Sequence, residues 1–174
     1  MALAIVLGFD ATAEQAVVEV WKAIRAVSGS GRLFDLRGRP HVSLAVYPEG
    51  ARGPLEKAVA AFRPAPLPFV LASAAAFPGD EGAVFLAPVV DEALLRLHRE
   101  WHALAPGAHE YYRPGAWVPH CTVGFNLPEG AVPYAVAAAR ALLPIRGRYE
   151  SIGLIESDRD GKAPIRHLLE QPLG

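Results

Sequence analysis

The sequence is poor in sulfur, in net charge and in long apolar runs. Its 174 residues include one cysteine, Cys121, and one methionine, Met1. A lone cysteine excludes a small domain held by intramolecular disulfides. The formal net charge is −1. Long nucleic-acid tracts are held largely by neutralised phosphates, so this balance argues against a broad basic footprint and leaves room for a local arginine pocket. The amino-terminal run Ala2 to Gly8 falls far short of the about 20 residues that span a bilayer. It lacks a basic leader and soon meets Asp10, so a cytoplasmic protein without membrane association is expected.

What the chain does have is a core. It is 52% hydrophobic and 20% charged, a globular composition large enough for one domain over residues 1–174. Its halves, about 1–88 and 89–174, are not separated by any linker-like stretch.

Two short segments read as copies of one another. One is His41-Val42-Ser43-Leu44 and the other His120-Cys121-Thr122-Val123, each directly after a proline, Pro40 or Pro119. Strand alternation puts His41 beside Ser43, and His120 beside Thr122, with the apolar residues and Cys121 turned inward. The histidines stand 79 positions apart (120 − 41), and so do Pro54 and Pro133 (133 − 54), each at the start of an expected helix. The turns beginning at Pro78 and Ser157 keep the same offset (157 − 78). This is an internal duplication.

Taken in order, Leu3 to Phe9 reads as a strand covered on both faces. Thr12 with Gln15 is a capping-box signature for a helix carrying Val17, Val20, Trp21 and Ile24 on one stripe, ended near Gly29. The loop to the first motif holds Arg32, Arg37 and Arg39. One of these, Arg39 first, is expected to face an anion beside His41, and plain solvated charge is the alternative. After the first motif come a short helix from Pro54, a strand over Leu67 to Phe77, a turn at Pro78-Gly79-Asp80-Glu81-Gly82 and a strand over Ala83 to Ala87. A longer helix from about Asp91 carries Leu94, Leu97, Trp101 and Leu104. The second motif is followed by the Pro133 helix and by a hairpin pairing Tyr149 to Glu156 with Ala163 to Leu169 around Asp160-Gly161. The order predicts an α+β fold: bilobal, duplicated βαββ units with two facing antiparallel sheets, helices outside and a central groove between the motif strands.

Two imidazoles across a groove suit a reaction that removes one proton and delivers another. The hydroxyl two residues along can hold a phosphate oxygen between them, and no metal or cofactor is required. The loop before the second motif adds Tyr112 and Arg113, an aromatic and a cation that can stack a base and hold a phosphate, or else cover the end of the core. Tyr47 shares the expected strand face of His41 and Ser43, so it is placed in the groove as well.

These paired tetrads, in duplicated surroundings over nearly the whole chain, resemble the two-histidine phosphoesterase superfamily, in its bacterial 2'-5' RNA ligase or 2',3'-cyclic phosphodiesterase branch. The resemblance implies His41 and His120 as the acid/base pair and Ser43 and Thr122 as phosphate ligands. It also implies a small nucleotide or an RNA end with a cyclic or 2'-5' phosphodiester as substrate, taken by a monomer. Many RNA-acting relatives carry a basic residue just after the second motif, where this chain has Gly124, Phe125 and Asn126.

Three rivals are weighed against that reading. His98 and His102 are four apart on a helix, a zinc spacing, but the glutamate between them is one place late for the zinc-protease pattern and His98 falls at the boundary of the apolar stripe. A non-catalytic nucleotide- or RNA-binding module would use the same groove, although a degenerate copy is free to lose a histidine. Cys121 as nucleophile fails because alternation points its sulfur into the core.

Overall fold

The computed structural model describes residues 1–79, 81–158 and 163–174. Its organising strand is β1 (Ala2–Phe9), apolar throughout and buried on both faces as the unbroken run predicts. Leu3, Ile5 and Leu7 enter the main core, while Ala4 and Val6 join a second, smaller apolar cluster on the opposite face with Ile155. α1 (Ala11–Ser28) follows with Val17, Val20, Trp21 and Ile24 buried, and ends at Gly29 in the left-handed region (φ 71°). Its cap is Asp10, whose carboxylate accepts from the Ala13 N–H at 2.9 Å. The Thr12 capping box is therefore not formed, because the helix has already begun at residue 11. A single short helix, α2 (Arg32–Asp35), occupies part of the expected arginine loop.

The predicted order then appears twice. The first unit is β2 (His41–Pro48), α3 (Arg52–Ala61), β3 (Leu67–Ala76) and β4 (Val84–Pro88). After the bridging helix α4 (Glu92–Leu104), which Asp91 caps, the second unit is β5 (Cys121–Gly124), α5 (Val132–Arg140), β6 (Ile145–Ser157) and β7 (Arg166–Pro172). Pro133 stands in the first turn of α5, where its missing N–H leaves no gap. The Asp160-Gly161 turn and Asp80 lie outside the described residues.

Among the described residues, all seven strands are antiparallel and belong to one open sheet in the order β2-β1-β6-β3-β4-β5, with β7 also on β6. The two sheets expected from the sequence are the wings of this network, joined through β6. That strand is 13 residues long because its first part, Ile145 to Tyr149, pairs with β3 while the rest pairs with β1 and β7. The duplicated units interleave: the second motif strand, β5, pairs with the first unit's β4. Among the described residues, no helix is long and apolar enough to cross a membrane.

Candidate active site

Both motif strands carry the same irregularity. Along β2 the register with β1 slips so that Ile5 faces Ala45 and Val6 faces Ser43, leaving Leu44 as an extra residue. Along β5, Val84 faces Gly124 and Phe85 faces Thr122, leaving Val123 extra. Each tetrad thus ends on a β-bulge at its fourth position, and a bulge re-aims the side chains beyond it. His41, Ser43 and Val46 consequently line the groove in the first copy, and His120, Thr122 and Phe125 in the second.

The bulge corrects the placement of Tyr47. Simple alternation puts it on the groove face, but it lies in the core at 3% exposure, donating from its hydroxyl to the Ala105 carbonyl at 2.6 Å and accepting from Trp101 Nε1 at 2.9 Å. The duplication also runs further than the histidines show. Pro-Glu-Gly-Ala stands at 48–51 and again at 128–131, 80 positions on (128 − 48). Glu49–Ala51 and Glu129–Ala131 both form a single tight turn ahead of their helix. The identical tetrapeptides carry this repeat in the sequence itself.

The histidines are held alike. The Nδ1–H of His41 donates to the Arg39 carbonyl at 2.7 Å, and that of His120 to the Val118 carbonyl at 2.8 Å, each two residues upstream. A carbonyl can only accept, so this bond fixes the tautomer and leaves Nε2 as the nitrogen free to act. Both rings line one groove of about 830 Å³, and a proton on His120 is felt at His41. The buried Cys121 sulfur lies against the backbone of His41, which ties the two strand starts together. Its thiol is pushed up to about 12 by burial, so it is no nucleophile near neutrality.

Burial pushes the His41 imidazole down to about 4, against the pull of the Arg39 carbonyl, and the His120 charge adds to the fall. His120 is lowered too, again chiefly by burial. The groove therefore holds two neutral imidazoles at pH 7.

Around this shared arrangement the supports differ. His120 sits edge-on to Phe77 (4.9 Å between centroids) and Phe85 (5.5 Å), which stack on one another at 4.3 Å. Gly82 holds the adjoining hairpin turn close, at φ +50° and so near Leu127 that a Cβ would strike its backbone. Behind His41, the strand edge is sealed by the last turn of α4 and the loop that follows it. Trp117 Nε1 donates to the Ser43 carbonyl at 3.0 Å, His102 Nε2 to that of Leu44 at 3.4 Å and the His109 N–H to that of Val46 at 2.8 Å. His98 stacks flat on Trp117 at 4.0 Å and donates to the Tyr112 carbonyl at 2.9 Å. Its expected boundary position is corrected to a buried one, 1% exposed, because the loop folds over it. Both ring Nε2 atoms of the suspected zinc pair are thus directed at backbone carbonyls. Among the described residues no group of three or more His, Cys, Asp or Glu side chains is placed to hold a metal ion.

The remaining expected ligands divide. Tyr112 lines the groove, with Tyr111 beside it. Arg113 does not: its Nε donates to the Ala108 carbonyl at 3.2 Å, within its own loop. Arg39 does not either, because its guanidinium pairs with Glu14 at 2.9 Å and with Glu170 at 2.8 Å. Two carboxylates within reach take the cation away from the groove, and only its carbonyl serves His41. His167, which nothing in the sequence singled out, lies on β7 close enough for its charge to lower His41, and the two share a small cavity of about 20 Å³ that has His41 and Ile155 in common with the groove.

A family model, the 2'-5' RNA ligase superfamily, matches residues 12–161. The chain belongs to that superfamily. This places it among the two-histidine phosphoesterases, with both tetrads inside the matched span. The same α+β fold recurs in solved structures of the superfamily. TT0787 of Thermus thermophilus is 19% identical with a TM-score of 0.63, over 99% of this chain and 98% of that one. LigT of E. coli in its complex with 3'-AMP is 18% identical with a TM-score of 0.61, over 98% and 97%. A further structure described as a phosphoesterase is 18% identical with a TM-score of 0.59, over 98% and 97%. At these identities the likeness is one of fold. No curated protein sequence matches the chain.

Proposed function

We propose that this superfamily member is a metal-independent phosphodiesterase acting on 2',3'-cyclic phosphate or 2'-5' phosphodiester substrates, RNA ends or small nucleotides, by paired histidine catalysis. The observation that carries the reading is the doubled hold on the imidazoles: two rings in one groove, each with Nδ1 spent on a carbonyl and Nε2 left to act. That LigT has been crystallised with 3'-AMP, ATP and phosphate is consistent with a nucleotide in the equivalent groove.

In hydrolysis the neutral imidazole takes a proton from water as its oxygen bonds to phosphorus. The bond from phosphorus to one ribose oxygen breaks, and the other, protonated imidazole gives that oxygen its proton. Ser43 and Thr122 hydroxyls donate to the non-bridging oxygens and steady the charge that grows there. The second proton is taken up from solution as the substrate binds. An anionic phosphate between two depressed imidazoles favours the imidazolium form, so binding draws one proton from solution.

The test is hydrolysis of 2',3'-cyclic nucleotides and of cyclic-phosphate-ended RNA with chelator present, in wild type, His41→Ala and His120→Ala. Turnover in the wild type that disappears in both variants is expected. Activity that survives either substitution removes that histidine from the mechanism.

A further inference from the structure

Trp117 joins the supports of the two tetrads. Its Nε1 donates to the Ser43 carbonyl at 3.0 Å. That carbonyl belongs to the peptide that links Ser43 to Leu44, the bulged residue of β2. The residue after the tryptophan, Val118, supplies the carbonyl that accepts from His120 Nδ1 at 2.8 Å. A single side chain thus runs from the backbone of the hydroxyl residue in the first copy to the segment that anchors the histidine of the second. The Cys121 sulfur ties the two strands where they begin, against the backbone of His41. The indole ties them again, at the hydroxyl end of the first tetrad.

This joint is stiff. The indole lies flat on His98, with 4.0 Å between centroids and 3° between planes. His98 is rooted in α4, whose Leu94, Leu97 and Trp101 are buried, and its Nε2 donates to the Tyr112 carbonyl at 2.9 Å. The Trp117 N–H donates to the Arg113 carbonyl at 3.1 Å, which closes a turn in the loop. One element therefore sets the plane of the ring and another sets its backbone.

Stiffness has a use at this place. β2 stands at the end of the sheet order, beside β1, and carries an extra residue at Leu44. A strand at the edge of a sheet with an unpaired residue has a weakly specified register. Apolar cover alone would hide that edge from water. A directed N–H does more, because it fixes the orientation of the peptide whose carbonyl it meets, and with it the hydroxyl that Ser43 presents to the groove. Positioning is where phosphoryl chemistry is most demanding: a misplacement of about 1 Å costs on the order of 10²-fold in rate.

Resting on the phosphodiesterase reading above, we propose that Trp117 is a positioning residue for that reaction: its indole, held flat by His98, braces the Ser43–Leu44 peptide against the chain entering the second tetrad and so sets the separation of the Ser43 and Thr122 hydroxyls on the phosphate.

The experiment is a double-mutant cycle. It measures kcat and KM for a 2',3'-cyclic nucleotide, and the thermal midpoint, in wild type, Trp117→Phe, Ser43→Ala and the double variant. Phenylalanine keeps a ring against His98 and loses the donor, so kcat is expected to fall about ten-fold while KM changes by less than about two-fold. In the Ser43→Ala background the same substitution is expected to cost less than about two-fold, because the hydroxyl it positions is gone. A tryptophan that serves the fold alone would lower the midpoint and leave the kcat of the folded enzyme unchanged. If the phenylalanine variant does not fold, benzothienylalanine at 117, which keeps the size of the indole and puts sulfur in place of its N–H, is expected to show the same ten-fold loss.

A folded variant whose kcat stays within about two-fold of a wild type that turns over overturns this proposal alone, and so do losses that multiply with those of Ser43→Ala. A wild type without turnover sinks the phosphodiesterase reading and takes this one with it.

Discussion

The two motif strands make the same three statements to a substrate, histidine, hydroxyl and a bulge, and rest on unlike foundations. β2 is eight residues long, its open edge closed by the loop that follows α4, whose Trp117 stacks on His98 of that helix. β5 has four residues and leans on the Phe77–Phe85 pair through His120. What the duplication preserves is the geometry of the acting atoms: Nδ1 to a carbonyl two residues back, the hydroxyl two residues on. Packing that merely supports them has diverged, as packing can whenever volume and polarity are satisfied.

The largest expected effect tests the sameness. His41→Ala and His120→Ala should each lower kcat for a 2',3'-cyclic nucleotide by about 10²- to 10⁴-fold. Losses that differ by more than ten-fold would break the equivalence of the pair. Ser43→Ala and Thr122→Val should each reduce kcat by about 10²-fold, as the loss of one donor to growing phosphate charge does. A rise in KM alone would limit the hydroxyls to ground-state binding.

The unlike foundations should show in acid. His98 is pushed down to about 4 by burial, with the His102 charge adding to it, and His102 is lowered too. Their ordinary value is 6.5. As pH falls from about 6.5 toward 4 the unfolded chain binds protons that the folded chain refuses, so stability is full above that window and declines through it. Thermal midpoints measured from pH 7 to 4.5 should fall, and His98→Gln should flatten part of the slope. His41 and His120 follow the same sign, so the double variant His41→Gln, His120→Gln shows what the groove contributes.

Phe77→Ala touches the second motif only. Opening the wall beside His120 relieves the burial that depresses it, so its imidazole should titrate higher by NMR. One limb of the pH–rate profile should move while the other stays. Movement of both limbs would mean the pair titrates as one. The smallest effect is expected for Arg39→Ala. Its ion pairs are largely exposed, so stability should change by no more than ~1 kcal/mol and KM by less than about two-fold. A large rise in KM would return this side chain to the phosphate.

The contrast also explains how far the sequence could be read. The tetrads, the duplicated βαββ order, the inward Cys121 and the doubly covered first strand follow from local patterns, and local patterns are what a sequence displays. Tyr47 escaped because one bulged residue at Leu44 inverts the faces beyond it, and alternation carries no sign of a bulge. His98 was misplaced because a helical wheel sees its own helix and not a loop 14 residues on that covers it. Arg39 looks free for a substrate in the sequence because its partners, Glu14 and Glu170, are 25 and 131 positions away. For His98 and Arg39 the failure is a matter of sequence distance.

Sequence distance has a further consequence for how the protein is made. β1 is synthesised well before its partner on one side, residues 149–157, which lie 140 to 155 positions further on (149 − 9, 157 − 2). Until that strand emerges, the most apolar stretch of the molecule presents an unfilled edge to its surroundings, and the wing that carries His41 stays incomplete. Residue 157 must be made before either histidine acquires its groove, which makes the nascent chain, rather than the finished fold, the stage most exposed to aggregation.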